Sequence, residues 1–181
     1  MRTFEIIAAV ANGNVIGYQG EMPWGRLPND LKHFESLTMG HSVVIGFNTL
    51  LAIGKMANRR TKLLPGRKIY VLTRNPNKLT QFPDCFWLPG VREASLINDR
   101  GRVFVAGGQD IYHQFIDHPQ TRIIHITRIF ANYHGDTFFP ILQNDAWQIE
   151  KYDVCRADDR NKHEIGFITK SRTRPHQYEM T

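Results

Sequence analysis

The runs that most constrain this chain are short, wholly apolar and without alternation. Ile6-Ile7-Ala8-Ala9-Val10, Val43-Val44-Ile45-Gly46 and Val103-Phe104-Val105-Ala106 contain no polar side chain. A strand with one face in water alternates apolar and polar residues. A strand that does not alternate is covered on both faces, as in a parallel sheet between layers of helix. Arg67 to Thr73 reads as another such strand. Helical spacings fall between the strands: Leu31, Phe34 and Leu37 within Asn29 to Thr38, with Pro28 at the start, then a short helix from Thr49 to Ile53 and another from Asp110 to Ile116. Arg122 to Phe130 alternates weakly and reads as a long strand. Trp147 to Val154 and His163 to Lys170 read as an antiparallel hairpin about a turn from Ala157 to Asn161. The expectation is a single-domain α/β fold. Its sheet is mixed, mostly parallel and twisted, with about eight strands, flanking helices and an antiparallel C-terminal hairpin.

The length of 181 residues suits one domain with its own core. The boundaries expected are 1–171 for that domain and 172–181 for a disordered tail. Two cysteines, Cys85 and Cys155, exclude a disulfide scaffold; one bridge is open to them, and two free thiols in a reducing compartment are the plainer reading. Twenty-three Lys and Arg against 17 Asp and Glu leave a net charge of +6, which calls for an anionic partner. A phosphorylated cofactor, a polyanionic small substrate and nucleic acid all qualify. A nucleic-acid module needs a contiguous basic face with interleaved aromatics. Here the cations gather only loosely, at Lys55 to Lys68 and Lys170 to Arg174. The run Ile6 to Val10 is too short for a signal core or a bilayer span, so no membrane association and a cytoplasmic location are expected. The eight histidines show no metal-ligand spacing, and no nucleophile elbow is present, so no metal is expected.

Four groups of residues carry chemistry. Asp30 opens a helix, where a carboxylate ordinarily serves the dipole. It also shares a face with Phe34 and Leu37, at i, i+4 and i+7, so it looks onto apolar surroundings where a charge is costly without a partner. The strand-to-helix junctions Ile45-Gly46-Phe47-Asn48-Thr49 and Val105-Ala106-Gly107-Gly108-Gln109-Asp110 each offer backbone amides to a phosphate. Neither is a complete dinucleotide fingerprint, but two in one small sheet point to a pyrophosphate. The glycine-bearing loop from Gly17 to Trp24 reads as a lid, with a plain core plug as the ordinary role of Trp24. Arg67, entering a strand after Leu64-Pro65-Gly66, can clamp a carboxylate with two parallel hydrogen bonds, although a single Arg is more often only solvated.

In this order, from Ile6 to about Lys170, these segments resemble the dihydrofolate reductase family. The blocks that carry the resemblance are Ile7-Ala8-Ala9-Val10, Asn14-Val15-Ile16-Gly17, Met22-Pro23-Trp24, Leu27-Pro28-Asn29-Asp30-Leu31, Leu64-Pro65-Gly66-Arg67-Lys68, Val103 to Gly108 with Ile111-Tyr112, and Gly135-Asp136-Thr137-Phe138-Phe139-Pro140. The resemblance implies NADPH-dependent reduction of 7,8-dihydrofolate to tetrahydrofolate, with hydride going to C6 and a proton to N5. It implies a pterin pocket in which Asp30 binds the 2-amino group and N3, Thr127 supports that carboxylate, and Trp24 lies by an ordered water. Ile7, Ala8, Leu31, Phe34, Ile53 and Leu64 would wall the substrate, and Arg67 would clamp its glutamate. Ala9, Ile16 and Gly17 belong to the matched lid over the nicotinamide. Gly46, Phe47, Asn48 and Thr49 match cofactor contacts, as do Ala106, Gly107, Gly108, Gln109, Asp110, Ile111 and Tyr112. Leu72, Thr73 and Arg74 match the adenosine end. The Gly107–Gly108 peptide is expected to be cis.

The sequence departs from the family pattern in places. Phe47 stands where an Arg usually follows the glycine, and Asp110 where some members carry another. Arg74 is left as the expected cation for the 2′-phosphate. Ala106 replaces a larger apolar residue. The link from Lys55 to Leu63 is longer than usual and is expected to form a flexible basic rim. The alternative reading is a reductase of another pterin-like or pyrimidine substrate on the same fold, of the riboflavin-pathway type, which has no clear use for Asp30, Thr127 and Arg67 together. A monomer is expected.

Overall fold

The computed structural model describes residues 3–56, 63–98, 102–143 and 145–173. Strand β1 spans Thr3–Val10, β2 Val15–Gly17, β3 Ser42–Gly46, β4 Lys68–Leu72 and β5 Cys85–Leu88. Strand β6 spans Arg102–Val105, β7 Thr121–Ile129, β8 Thr137–Phe138, β9 Trp147–Cys155 and β10 Ile165–Arg172. The helices are α1 (Pro28–Thr38), α2 (Phe47–Met56), α3 (Val91–Ala94) and α4 (Gln109–Ile116). Eight strands form one sheet in the order β5-β4-β3-β6-β1-β7-β10-β9, and β2 pairs with β8 in a separate ribbon. The first six of that order are parallel neighbours; β10 runs antiparallel to both β7 and β9.

The unalternating runs behave as their composition demands. All five residues of β3 are buried, as are six of the eight in β1. Two core layers follow. On one face of the sheet Phe4, Ile6 and Val105 pack with Ile111, Tyr112 and Phe115 of α4. On the other, Ile7, Ile45 and Phe104 pack with Leu50 of α2 and with the half-buried Phe34 of α1. Each fully buried side chain of this size contributes about 1.5–3 kcal/mol by leaving water. A third cluster, with Trp24 at its centre, lies under the loop between β1 and α1.

Three features differ from the sequence expectation. Helix α2 begins directly after Gly46 and runs to Met56, so Phe47 and Asn48 form its first turn instead of preceding it. Strand β5 and helix α3 were not expected. β5 is an edge strand whose Phe86 and Trp87 are half exposed, so it carries no core-like run to read. Strand β10 continues through Arg172, the first residue of the expected tail. There the Arg172 Nε donates to the Thr121 carbonyl at 2.9 Å, and the guanidinium lies 4.5 Å from the Trp147 ring. Residues 174–181, the rest of that tail, lie outside the described residues, as do residues 57–62 of the expected basic rim. At the start of that rim Lys55 is the last-turn cation of α2 and pairs with Glu21 of the lid at 3.3 Å.

Candidate active site

The parallel strands β1, β3, β6 and β7 all end on one side of the sheet, and most of the expected site residues collect there. This is where ligands bind in open α/β sheets. Leu64 and Arg67, which lead into the start of β4, stand toward the opposite end of the strands. The two glycine junctions, more than 60 residues apart in sequence, are in contact because β3 and β6 are neighbours. The Gly46 amide donates to the Gly107 carbonyl at 2.7 Å. A Cβ on Gly46 would stand 3.0 Å from Ile111 Cγ1, and one on Gly108 would stand 3.3 Å from Thr49 Oγ1. Gly107 has a φ of +102° and its missing Cβ would meet the Tyr112 hydroxyl at 3.0 Å, so no larger residue fits. The Gly107–Gly108 peptide is cis, as expected. Tyr112 is fixed by donating its hydroxyl to the Ile7 carbonyl of β1 at 2.8 Å. Burial raises its pKa, and the nearby Asp30 carboxylate raises it further.

The ends of the two helices differ in charge. Helix α4 carries Asp110 in its first turn, a carboxylate that already answers the dipole. Helix α2 has no acidic residue there. Instead Lys78 sits 5.1 Å above the ring of Phe47, and Phe82 meets the same ring edge-on at 6.3 Å. Arg74, just beyond β4, is exposed, and no carboxylate pairs with it or with Lys78 among the described residues.

Asp30 lies in the first turn of α1, and its carboxylate accepts a hydrogen bond from the Thr127 hydroxyl of β7. Burial raises its pKa from the ordinary 3.8, and the Thr127 bond offsets this in part. A carboxyl in this setting can hold a cationic or donor-rich ligand and can exchange a proton nearer to neutrality. Ile7, Phe34, Ile53 and Leu64 belong to one apolar cluster; Leu31, partly exposed on α1, is not part of it. Ala8 does not join them: its side chain points to the opposite face, into the cluster of α4. Ala9 and Ile16 are partly buried, in two different clusters. Arg67 donates from Nη1 to Thr38 Oγ1 at 3.3 Å and from Nε to the Pro65 carbonyl at 3.0 Å; it is half-buried, with the Glu35 carboxylate near enough to favour its charge, and it forms no ion pair among the described residues. Leu72 and Thr73 close the end of β4, and Thr73 is held by its amide to Leu88 and by the Trp87 indole donating to its carbonyl at 2.8 Å.

Two contacts hold the segment from Gly17 to Trp24, and a third holds β8 beside it. Asp136 accepts from the Gln19 amide at 2.8 Å, its own amide donates to the Gly17 carbonyl, and Gln109 accepts from the Phe138 amide at 2.6 Å. Asp136 sits within a resembling block, but nothing local marks its role. Lys78 was hidden in a turn cluster, and only the fold brings it to Phe47. Trp24 is 4% exposed, and its indole N–H has no hydrogen-bond partner among the described residues. Among the described residues no group of metal-ligating side chains is present, and no helix is long and apolar enough to cross a membrane.

The mixed sheet, the paired glycine junctions and the half-buried carboxylate at one end of it mark a small α/β enzyme. The sequence profile of dihydrofolate reductase matches residues 3–172, and the chain belongs to that family. It is 34% identical over 170 residues to the type 3 dihydrofolate reductase of Salmonella typhimurium, covering 93% of this chain and 98% of that one. It is 29% identical over 171 residues to the Haemophilus influenzae enzyme, with 94% and 99% covered. Its fold superimposes on that of the Enterococcus faecalis dihydrofolate reductase, solved in complex with NADP(H) and RAB-propyl. The TM-score is 0.83 at 29% identity, with 95% and 97% of the chains covered.

Proposed function

We propose that this chain reduces 7,8-dihydrofolate to 5,6,7,8-tetrahydrofolate with NADPH, and so serves one-carbon metabolism. The observation that carries the reading is Asp30, a half-buried, desolvated carboxylate whose protein partner is the neutral hydroxyl of Thr127. Such a group is costly unless a ligand supplies what the protein withholds. The 2-amino group and N3 of a pterin supply two donors, and the negative charge held beside them favours protonation at N5. Trp24, with its unpaired indole N–H at the same end of the sheet, is suited to order a water beside the pterin. Phe34, Ile53 and Leu64 exclude water from the apolar part of the substrate, with Ile7 at the floor and Leu31 at the mouth. Arg67, near the Glu35 carboxylate but in no ion pair among the described residues, takes the glutamate carboxylate.

The residues present also fit a dinucleotide cofactor. Gly46, Gly107 and Gly108 leave room that a Cβ would fill. The first turn of α2 is free of acid, so Phe47, Asn48 and Thr49 present amides to a pyrophosphate. Ala106 and Gln109 to Tyr112 border the same junction, and Ala9, Ile16 and Gly17 cover it from the lid side. NADPH, when bound there, supplies the hydride that goes to C6. Leu72 and Thr73 flank the adenosine end, where Arg74 and Lys78 are the cations placed for a 2′-phosphate. We take the enzyme to be a cytoplasmic monomer acting on this small molecule, without nucleic acid or membrane as partner. The edge strand β9 carries Glu150, Lys151 and Asp153 and a register shift against β10, features that oppose pairing with a second copy.

The test is loss of reduced-nicotinamide absorbance with dihydrofolate and either NADPH or NADH, with sedimentation of the same sample. Turnover with NADPH is expected. No turnover with either cofactor would overturn the reading and leave another pterin-like or pyrimidine substrate.

A further inference from the structure

Trp24 and Asp30 lie six residues apart on an irregular segment and the helix it enters, and neither is held by the parallel sheet's own ladder. Trp24 has no polar anchor of its own. What touches it is the ring of Tyr133, from the loop after β7, with centroids 6.0 Å apart and planes at 67°. The Tyr133 hydroxyl is in turn bound to His163 Nε2 at 2.6 Å, with the two rings perpendicular at 5.8 Å. His163 belongs to the turn between β9 and β10. The same turn reaches the other end of the segment. Asn161, 2% exposed, accepts from the Asn29 amide at 3.0 Å, beside Asp30 in the first turn of α1. Asn161 is itself fixed, because its side-chain nitrogen donates to Asp158 Oδ1 at 2.8 Å and its amide donates to the same oxygen at 2.7 Å. Cys155, at the end of β9, accepts from Asn29 Nδ2 at 3.0 Å.

From this geometry we infer that the β9–β10 turn is a positioning brace for the active site. It sets Trp24 through His163 and Tyr133, and Asp30 through Asn161 and Asn29. The inference rests on the proposed roles of Trp24 and Asp30. The turn touches neither substrate nor cofactor in this account, so Tyr133, His163 and Asn161 are positioning residues. Each brace replaces a backbone ladder with one oriented side-chain contact. A small misplacement at a reacting centre costs far more in rate than in stability.

The experiment is a double-mutant cycle on Tyr133→Phe and His163→Ala, with His163→Gln as the conservative variant and Asn161→Ala for the second arm. Read out are kcat and both KM values, the melting temperature, and the near-ultraviolet circular dichroism of Trp24, isolated by subtracting a Trp24→Phe spectrum. Tyr133→Phe and His163→Ala are each expected to lower kcat/KM for dihydrofolate by about tenfold, with the KM for NADPH unchanged. The double variant should be no worse than either single one, because both break the same contact. His163→Gln should recover most of the loss. The Trp24 signal should change in Tyr133→Phe and His163→Ala but not in Asn161→Ala, which should lower kcat alone. Additive effects, an unchanged Trp24 signal in Tyr133→Phe, or a glutamine variant no better than alanine would overturn the brace. An inactive parent would count against the proposed function, and the dichroism of the same variants would then decide the brace by itself.

Discussion

Two carboxylates lie on the same face of the sheet, one layer apart, and the protein treats them differently. Glu5 of β1 is 1% exposed and is met by His125 Nε2 of β7 at 2.8 Å and by Arg102 of β6 at 3.6 Å. The other nitrogen of His125 lies 3.3 Å from the Thr169 hydroxyl of β10. One buried carboxyl group thus ties the central strands together. Two residues further along the same faces come Ile7 and Thr127, and there Asp30 finds a hydroxyl but no cation. The comparison separates a carboxylate whose partners are all supplied by the protein from one whose partners are left to a ligand. Burial alone does not mark a functional acid; the withheld partner does.

The largest expected effect lies at the unpartnered acid. Asp30→Asn keeps the shape and removes the charge, and should lower kcat/KM for dihydrofolate by about 10²- to 10⁴-fold. Steady-state rates at pH 7 decide it; a rate within a few-fold of the parent would remove Asp30 from the chemistry. At the partnered acid the expected loss is in stability instead. His125→Leu leaves Glu5 buried against Arg102 alone and should cost about 3 kcal/mol in urea unfolding. The double variant with Glu5→Gln should recover part of this, with kcat of the folded fraction retained. If His125→Leu abolished turnover without loss of stability, the contrast between the two acids would fail.

A smaller effect is expected at the cofactor's far end. Arg74→Gln and Lys78→Gln should each raise the KM for NADPH by about tenfold and leave that for NADH unchanged, because a lost phosphate contact acts only on the phosphorylated cofactor. Equal losses with both cofactors would place these cations elsewhere. The smallest effect is a pH dependence of stability. The folded-state pKa of Asp30 is raised above 3.8, so the folded protein holds that proton more tightly than the unfolded chain. Below 3.8 the carboxyl is protonated in both states, and stability falls as the pH rises through the folded value. Asp30→Asn should therefore be more stable than the parent at pH 7, with the gap closing toward pH 4. Chemical unfolding at several pH values checks this; a gap that widened on acidification would reverse the sign.

Much of the fold was legible because buried strands leave a mark that survives without context. Ile6 to Val10 and Val43 to Gly46 could hardly be anything but interior strands. Strand β5 was not legible: Phe86 and Trp87 face water at an edge, where no hydrophobic run is needed. At the site, the glycines and Asp30 were visible because their chemistry is local: a missing Cβ, or a charge on an apolar helix face. Ile7 and Ala8 were matched to the substrate as one motif, but strand alternation turns Ile7 to the cluster of α1 and α2 and Ala8 to that of α4, so their side chains do not share one wall.

The interior strands, the two glycine junctions and the carboxylate on an apolar helix face were written in the sequence, since each lies in neighbouring residues and obeys short-range rules. The tertiary structure decided which groups meet. Glu5 finds His125 because β1 lies beside β7, Gly46 finds Gly107 because β3 lies beside β6, and Tyr133 finds both Trp24 and His163 because two loops converge under the lid. Such pairings depend on strand order and on the closure of long connections, which no local pattern of residues encodes.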